Sequence, residues 1–376
     1  MTTRTASSLE AIVESAGIVV CCGSGGVGKT STAAALALRG AERGRRTCVL
    51  TIDPARRLAQ ALGLDLLSNQ PRPVAGKGFA AREPGGLDAM MLDMRRTFDE
   101  VIERYARDDE QVERILANRF YQRLSSTLAG TQEYMAMEKL YELHEEGRYE
   151  LLVVDTPPTR SALDFLDAPQ HLNELLDARA LRLLIAPAQR VGRGYLKGLN
   201  FATTTMTRLV RRLTGSELLA EVGEFFAAFE GMYDGFKDRA RRVYELLKHP
   251  DTAFVVVATP DQAALREAAY FAGRLASEQM PLGALVVNRI HRATPVPKVS
   301  SAALHRLADD GADGRLLADL VEQHQALEAL AASERERIAD LAKRMRGVNL
   351  VQVPLLSDDV HDLAGLRRLG DHLFSS

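Results

Sequence analysis

The sequence predicts an α/β fold, a doubly wound and mostly parallel sheet with an inserted helical subdomain. Three observations carry that prediction. Short apolar runs recur along the chain and are apolar throughout, as strands buried on both faces are, instead of alternating with polar residues. Helical patterns separate these runs, and alternating strands and helices build a sheet wound in both directions that binds ligands at the carboxyl ends of its strands. A glycine-rich turn joins the first run directly to the first helix.

Each element follows in order. Ile18 to Cys22 is the first strand, and the alanine-rich stretch Ser31 to Arg43 is the first helix. Thr47 to Ile52 is the second strand. Gln70 to Gly86, with three prolines and four glycines, is a loop by turn chemistry. Ala89 to Leu92 is a weaker strand candidate, and Leu151 to Val154, Phe254 to Ala258, Ala284 to Val287 and Leu350 to Val353 complete the sheet. Helices are expected over Ala263 to Ser277, over Ser300 to Arg346 in several pieces, and over Val360 to Leu373, the last packed on the sheet. Two helix-rich stretches interrupt the alternation, 94–147 and 161–248, and together form a helical subdomain within one domain spanning 1–376. In the second, Leu219, Val222, Phe225, Phe226, Phe229 and Met232 recur at helical spacing and read as core, with a client groove as the alternative.

Composition narrows the classes. A chain of 376 residues at 46% hydrophobic can bury a large core. No apolar run approaches the ~20 residues that span a bilayer, and the first residues lack a basic start followed by an apolar signal core. A cytoplasmic location is expected, with peripheral contact at a membrane left open. A net charge of -2 gives no pull toward nucleic acid, so none is expected as a partner. The stretch Ala178 to Ser216 carries Arg and Lys but no acidic residue, and reads as a solvated helix face complemented by the glutamates that follow it, with a membrane-surface or anionic-partner patch as the alternative. Cys21, Cys22 and Cys48 all fall in predicted core strands and read as small buried hydrophobes.

The chemistry starts at Gly23-Ser24-Gly25-Gly26-Val27-Gly28-Lys29-Thr30, followed by Ser31. Glycines let successive backbone N–H groups converge on phosphates, Lys29 reaches the β and γ phosphates, and the Thr30 hydroxyl can ligate Mg²⁺. The helix that follows turns its positive end to the same anion. Asp155 ends the apolar run Leu151 to Val154, where a second acidic group can hold Mg²⁺ through water beside Thr30. Asp53 ends the second strand, where a carboxylate can orient or deprotonate the water that attacks a γ-phosphate.

The loop, Asp53-Pro54-Ala55 and Asp155-Thr156-Pro157-Pro158-Thr159, in that order, resemble the arsenite-pump and tail-anchored-protein targeting ATPases, a family of deviant Walker A P-loop proteins. Val286-Val287-Asn288 is similar to the family's strand ending in an adenine-reading asparagine, and Val353-Pro354-Leu355-Leu356 to the segment lining its base pocket. The resemblance implies that ATP and Mg²⁺ are bound, that Lys29 holds phosphate, Thr30 and Asp155 the metal, Asp53 the attacking water, and that Asn288 and Pro354 serve the base. It also implies a dimer closing around two ATP molecules, and a helical subdomain that holds a protein client or works with a membrane-protein partner.

Departures from the family are as informative. The deviant loop carries a second lysine that crosses the dimer to the partner's nucleotide, and this chain has Ser24 there. A homodimer would lack both such lysines. Three explanations follow: pairing with a paralogous ATPase that keeps the lysine, replacement by Arg56, Arg57 or Arg160, or a slow switch that binds ATP. The chain also lacks a CxxC pair, so no zinc is expected at a dimer clasp, and it lacks the cysteines that would capture arsenite. Two further readings stand beside the ATPase: a nucleotide-gated binding scaffold with negligible hydrolysis, and a partitioning or septum-positioning type of ATPase.

Overall fold

The computed structural model describes residues 9–53, 57–75, 85–122, 131–157, 221, 224, 225, 228, 232–292, 299–309, 311–345 and 347–375. Arg56, Arg160, the stretch 178–216, and Leu219, Val222, Phe226 and Phe229 lie outside them. Two compact units divide the chain: Met1–Met91 with Leu143–Leu163 and Leu247–Ser376, and Leu92–Glu142 with Asp164–Leu246.

The first unit holds a sheet of eight strands in the order β3-β4-β2-β5-β1-β6-β7-β8. These are β1 (Ile18–Cys22), β2 (Thr47–Thr51), β3 (Arg72–Pro73), β4 (Leu87–Met91), β5 (Leu151–Asp155), β6 (Thr252–Ala258), β7 (Leu282–Ile290) and β8 (Asn349–Pro354). All pairings are parallel except β3 with β4. Every residue of β1, β2, β5 and β6 is buried, which is why these strands read as unbroken apolar runs. β3 falls inside the stretch expected to be a loop: two residues show no pattern, and proline tolerates a sheet edge because no ladder donor is needed there.

The helices of this unit include α1 (Leu9–Ser15), α2 (Lys29–Glu42) and the short α3 (Arg57–Ala61). α2 buries Ala33, Ala34, Ala35, Leu36, Ala37 and Leu38, small residues that let it lie close to the sheet. The closing helix, Leu363–Leu373, is capped by the Asp362 carboxylate and buries Leu366, Leu369 and Leu373. Its Arg367 pairs with Glu42 of α2 at 2.7 Å, and Arg39 of α2 lies 5.1 Å over the Phe374 ring. The apolar face of the closing helix is thus packed inside the protein.

In place of several pieces between 300 and 346, there are two helices, Ser301–Ala308 and the 34-residue Gly311–Arg344. The long helix buries Ala331, Glu334, Ile338 and Leu341 in its second half and exposes Leu316, Leu317 and Leu320 in its first. Glu334 ties it to the end of β7, accepting the His291 N–H at 2.9 Å and lying 2.8 Å from that imidazole. No helix among the described residues is long and apolar enough to cross a membrane.

The second unit is helical where described. Its elements include Met94–Tyr105 and Asp109–Ala117, capped by the side chains of Asp93 and Asp108, together with most of Thr131–Glu145 and Tyr233–Lys248. Phe225 and Met232, members of the apolar stripe, are buried. At the centre of the unit Glu138 is fully buried, with Arg239 Nε 2.8 Å away and the Arg239 guanidinium 4.1 Å over the Tyr141 ring. The two charges are in contact, and Arg104 stands 3.8 Å from the same carboxylate. Burial pushes the Glu138 carboxyl up, against the opposing pull of Arg239 and Arg104.

Candidate functional site

β1 lies between β5 and β6, the point where the winding of the sheet reverses, and the glycine-rich turn leaves its carboxyl end. That crevice is where doubly wound sheets hold ligands. Gly23 has φ 152° and passes so close to β6 that a Cβ would stand 2.1 Å from the Val257 carbonyl oxygen. Gly28, φ 96°, starts α2 in a left-handed conformation that a side chain would strain. Between them Gly25 and Gly26 are exposed at the tip of the loop, and Val27 is buried under it. The free N–H groups of the first α2 turn, including those of Thr30 and Ser31, face the same end.

Lys29 is 6% exposed, and its ammonium donates to the Ser24 carbonyl at 2.9 Å. That contact uses the backbone of residue 24 and is indifferent to its side chain. Burial lowers the pKa of Lys29, with Asp155, Cys22 and Asp53 pulling the other way and Arg57 adding to the depression. The exposed Arg57, at the start of α3, therefore belongs to the electrostatic surroundings of this lysine.

Asp155 is fully buried at the end of β5, in register with Cys21 of β1 and Thr51 of β2. Its Oδ2 accepts the Thr30 hydroxyl at 2.8 Å and the Thr51 hydroxyl at 2.9 Å. Its Oδ1 is buried with no hydrogen-bond partner. Burial pushes the carboxyl up to about 6, opposed by the two hydroxyls and by Lys29. A buried carboxylate oxygen without a partner, beside a threonine hydroxyl and a phosphate-type loop, suits a hydrated Mg²⁺. Asp53 stands half-buried just past β2, its N–H donating to Thr51 Oγ1 at 3.2 Å. Thr156 donates its hydroxyl to the Cys21 carbonyl at 2.8 Å, holding the segment after Asp155 against β1. Cys22, one residue before Gly23, is buried, and its thiol is pushed up to about 12 by desolvation.

Asn288, near the end of β7, is 8% exposed and donates Nδ2–H to the Val27 carbonyl at 2.9 Å. Its Oδ1 accepts the Arg289 N–H at 2.9 Å. Pro354 closes β8 opposite Ile290, and Leu355 beyond it is 50% exposed and donates its N–H to the Ile290 carbonyl at 2.9 Å. The fold therefore gathers the loop, Lys29, Thr30, Asp53, Asp155 and Asn288 at one edge, and leaves Pro354 at the same edge three strands from β1. Thr51 was not legible as a site residue. A hydroxyl at the end of an otherwise apolar strand, where burial demands a partner, is the signal that could have found it.

The sequence profile of a family described as anion-transporting ATPase matches residues 16–299. The chain is 26% identical to ATPase GET3B of Arabidopsis thaliana, over 93% of its own length and 76% of that protein's. It is 24% identical to ATPase GET3C of the same plant, over 93% and 80%. A protein of Aquifex aeolicus that carries the name of an arsenical pump-driving ATPase is 23% identical, over 95% and 78%.

Proposed function

On the premise that this chain belongs to the anion-transporting ATPase family, we propose that it binds Mg²⁺-ATP at the loop 23–30 and hydrolyses it to ADP and phosphate. The observation that carries the reading is the buried Asp155 between the Thr30 and Thr51 hydroxyls, with its second oxygen left open beside the loop. An ionised group sealed in that position destabilises the nucleotide-free protein and suits a site that awaits a cation.

The residues divide the work. Loop N–H groups and the start of α2 receive the phosphates, and Lys29 exchanges the Ser24 carbonyl for phosphate oxygens. Thr30 and, through water, Asp155 would hold Mg²⁺, whose chemistry in such a site is neutralisation of charge on the phosphate oxygens. Thr51 fixes the Asp155 carboxylate so that its open oxygen keeps one direction. Asp53 orients the attacking water and accepts its proton, and Asn288 and Pro354 border the nucleoside.

The working unit in this reading is a dimer, with the nucleotide cycle coupled to the helical unit and through it to a protein client or membrane-protein partner. Ser24 favours pairing with a paralogue that retains the lysine. In a homodimer the substitute would be Arg56, Arg57 or Arg160, and Arg57 is supported by its electrostatic influence on Lys29. Cys21, Cys22 and Cys48, buried in β1 and β2 with thiols held protonated by burial, offer no zinc clasp. The test is steady-state ATP hydrolysis across a wide range of the chain's own concentration, against Lys29→Ala. Activity that rises with concentration and plateaus above the control supports a self-assembled enzyme. Background activity with intact ATP binding turns the reading to the nucleotide-gated scaffold or to a lysine-bearing partner.

A further inference from the structure

We propose that Asn288 is a brace for the exit of the phosphate loop, setting its shape before nucleotide arrives and acting alike on every nucleoside triphosphate. The inference rests on the loop being the nucleotide site and adds to it a residue that prepares that site from β7.

The Asn288 Nδ2–H donates to the Val27 carbonyl at 2.9 Å across 261 residues of sequence. Which end of the amide faces the loop is fixed by the other end. Oδ1 accepts the Arg289 N–H at 2.9 Å, and a flipped amide would set N–H against N–H there and oxygen against oxygen at Val27. Arg289 is left-handed, φ 61°, at the point where the register of β7 against β8 shifts between Val287 and Ile290. The break in the strand is therefore also where the side chain's orienting contact is made.

The loop is shaped to receive this amide. A Cβ on residue 28 would lie 2.3 Å from Asn288 Nδ2, so the amide fills the space that any side chain at Gly28 would take. In a planar trans peptide the C=O of one residue and the N–H of the next point in opposite directions. Holding the Val27 carbonyl toward β7 therefore turns the Gly28 N–H away from β7. One residue on, the Gly28 carbonyl is taken by both the N–H and the hydroxyl of Thr32, at 2.9 Å each. Two successive carbonyls at the loop exit are pinned, one by a distant strand and one by α2. A residue kept only to read a base would leave its amide exposed to the base, whereas Asn288 is 8% exposed and already committed at both ends.

The experiment is hydrogen exchange of the nucleotide-free full chain, read by mass spectrometry on peptides covering 23–32 and, as internal reference, 252–258. Asn288→Ala removes the donor. Asn288→Asp keeps volume and the acceptor for Arg289 while placing a second oxygen against the Val27 carbonyl, and guards against a packing failure of the alanine variant. Both variants are expected to speed exchange in the loop by about 5- to 10-fold, the equivalent of one buried hydrogen bond, with the reference peptide unchanged. ATP and GTP are expected to lose affinity by the same factor. Loop exchange altered by less than about threefold, or loss of ATP affinity with GTP unaffected, overturns the brace in favour of base reading. If the parent chain binds no ATP, the ATPase reading falls while the exchange result still decides the brace.

Discussion

Replacing Asp155 by Asn should make the nucleotide-free protein more stable while removing the Mg²⁺-dependent hydrolysis proposed for it. Burial raises the carboxyl from 3.8 to about 6, so the folded state holds this proton more tightly than the unfolded chain does. For a group shifted in that direction the destabilisation is absent below the unfolded value, grows across the interval, and is complete above the folded one. Two pH units correspond to about 3 kcal/mol above pH 7. Asn keeps one oxygen for the Thr30 and Thr51 hydroxyls but places an amide where Oδ1 had no partner, at about 1 kcal/mol. The net gain is about 2 kcal/mol at pH 8, a rise in melting temperature of about 3 °C for a chain of this size. At pH 5 the gain should fall below about 1 kcal/mol, and near pH 4 it should reverse sign. Thermal and urea unfolding of both proteins with chelator and without nucleotide measure it. A variant no more stable than the parent at pH 8, or a difference that does not change with pH, would refute the reasoning.

Asp53→Asn should leave ATP binding within about twofold and slow hydrolysis by about 10²- to 10⁴-fold, the usual worth of a positioned base, measured by equilibrium binding and phosphate release. Ser24→Lys should raise turnover of the self-associated chain by at least tenfold if a missing trans cation limits it, and an unchanged rate would assign that role to Arg57 or its neighbours. Arg239→Met should destabilise the helical unit by about 3 kcal/mol in urea unfolding, because it leaves the buried Glu138 carboxylate with only the more distant Arg104, at 3.8 Å, among the described residues, and Glu138→Gln in the same background should recover most of that loss.

The central strands were legible because β1, β2, β5 and β6 are buried on both faces, a condition that leaves a local mark on the sequence. The shortest elements were not. The two residues of β3 and the five of α3 are too short to show a period, and their structure is set by neighbours distant in sequence. The loop and the two strand-end aspartates could be read for the same reason the strands could: their positions follow from where a buried run stops. Thr51 and the Asn288 contact with Val27 could not, since both are pairings between elements that only the sheet order brings together. The unbroken length of Gly311–Arg344 was hidden by Gly314 and by mixed polarity in its exposed half. The helix continues there on its good internal formers, alanine, leucine, glutamate and glutamine.

Glu334 ties that long helix to the end of β7, and Arg337, three residues on, donates to the Pro260 carbonyl at 3.0 Å just past β6. From Glu334 to Arg344 the helix runs back from the end of β7 toward the start of β8, while its earlier part packs against Ser301–Ala308, with Gln325 donating to the Val299 carbonyl at 3.3 Å. From Glu334 to Leu316 is about 27 Å at 1.5 Å per residue, and a tilt of about 5° at the tether would carry Leu316 about 2 Å. His291, the other half of the tether, is three residues beyond Asn288. A change at the β7 end that reached this tether would be carried along the helix toward the exposed Leu316, Leu317 and Leu320.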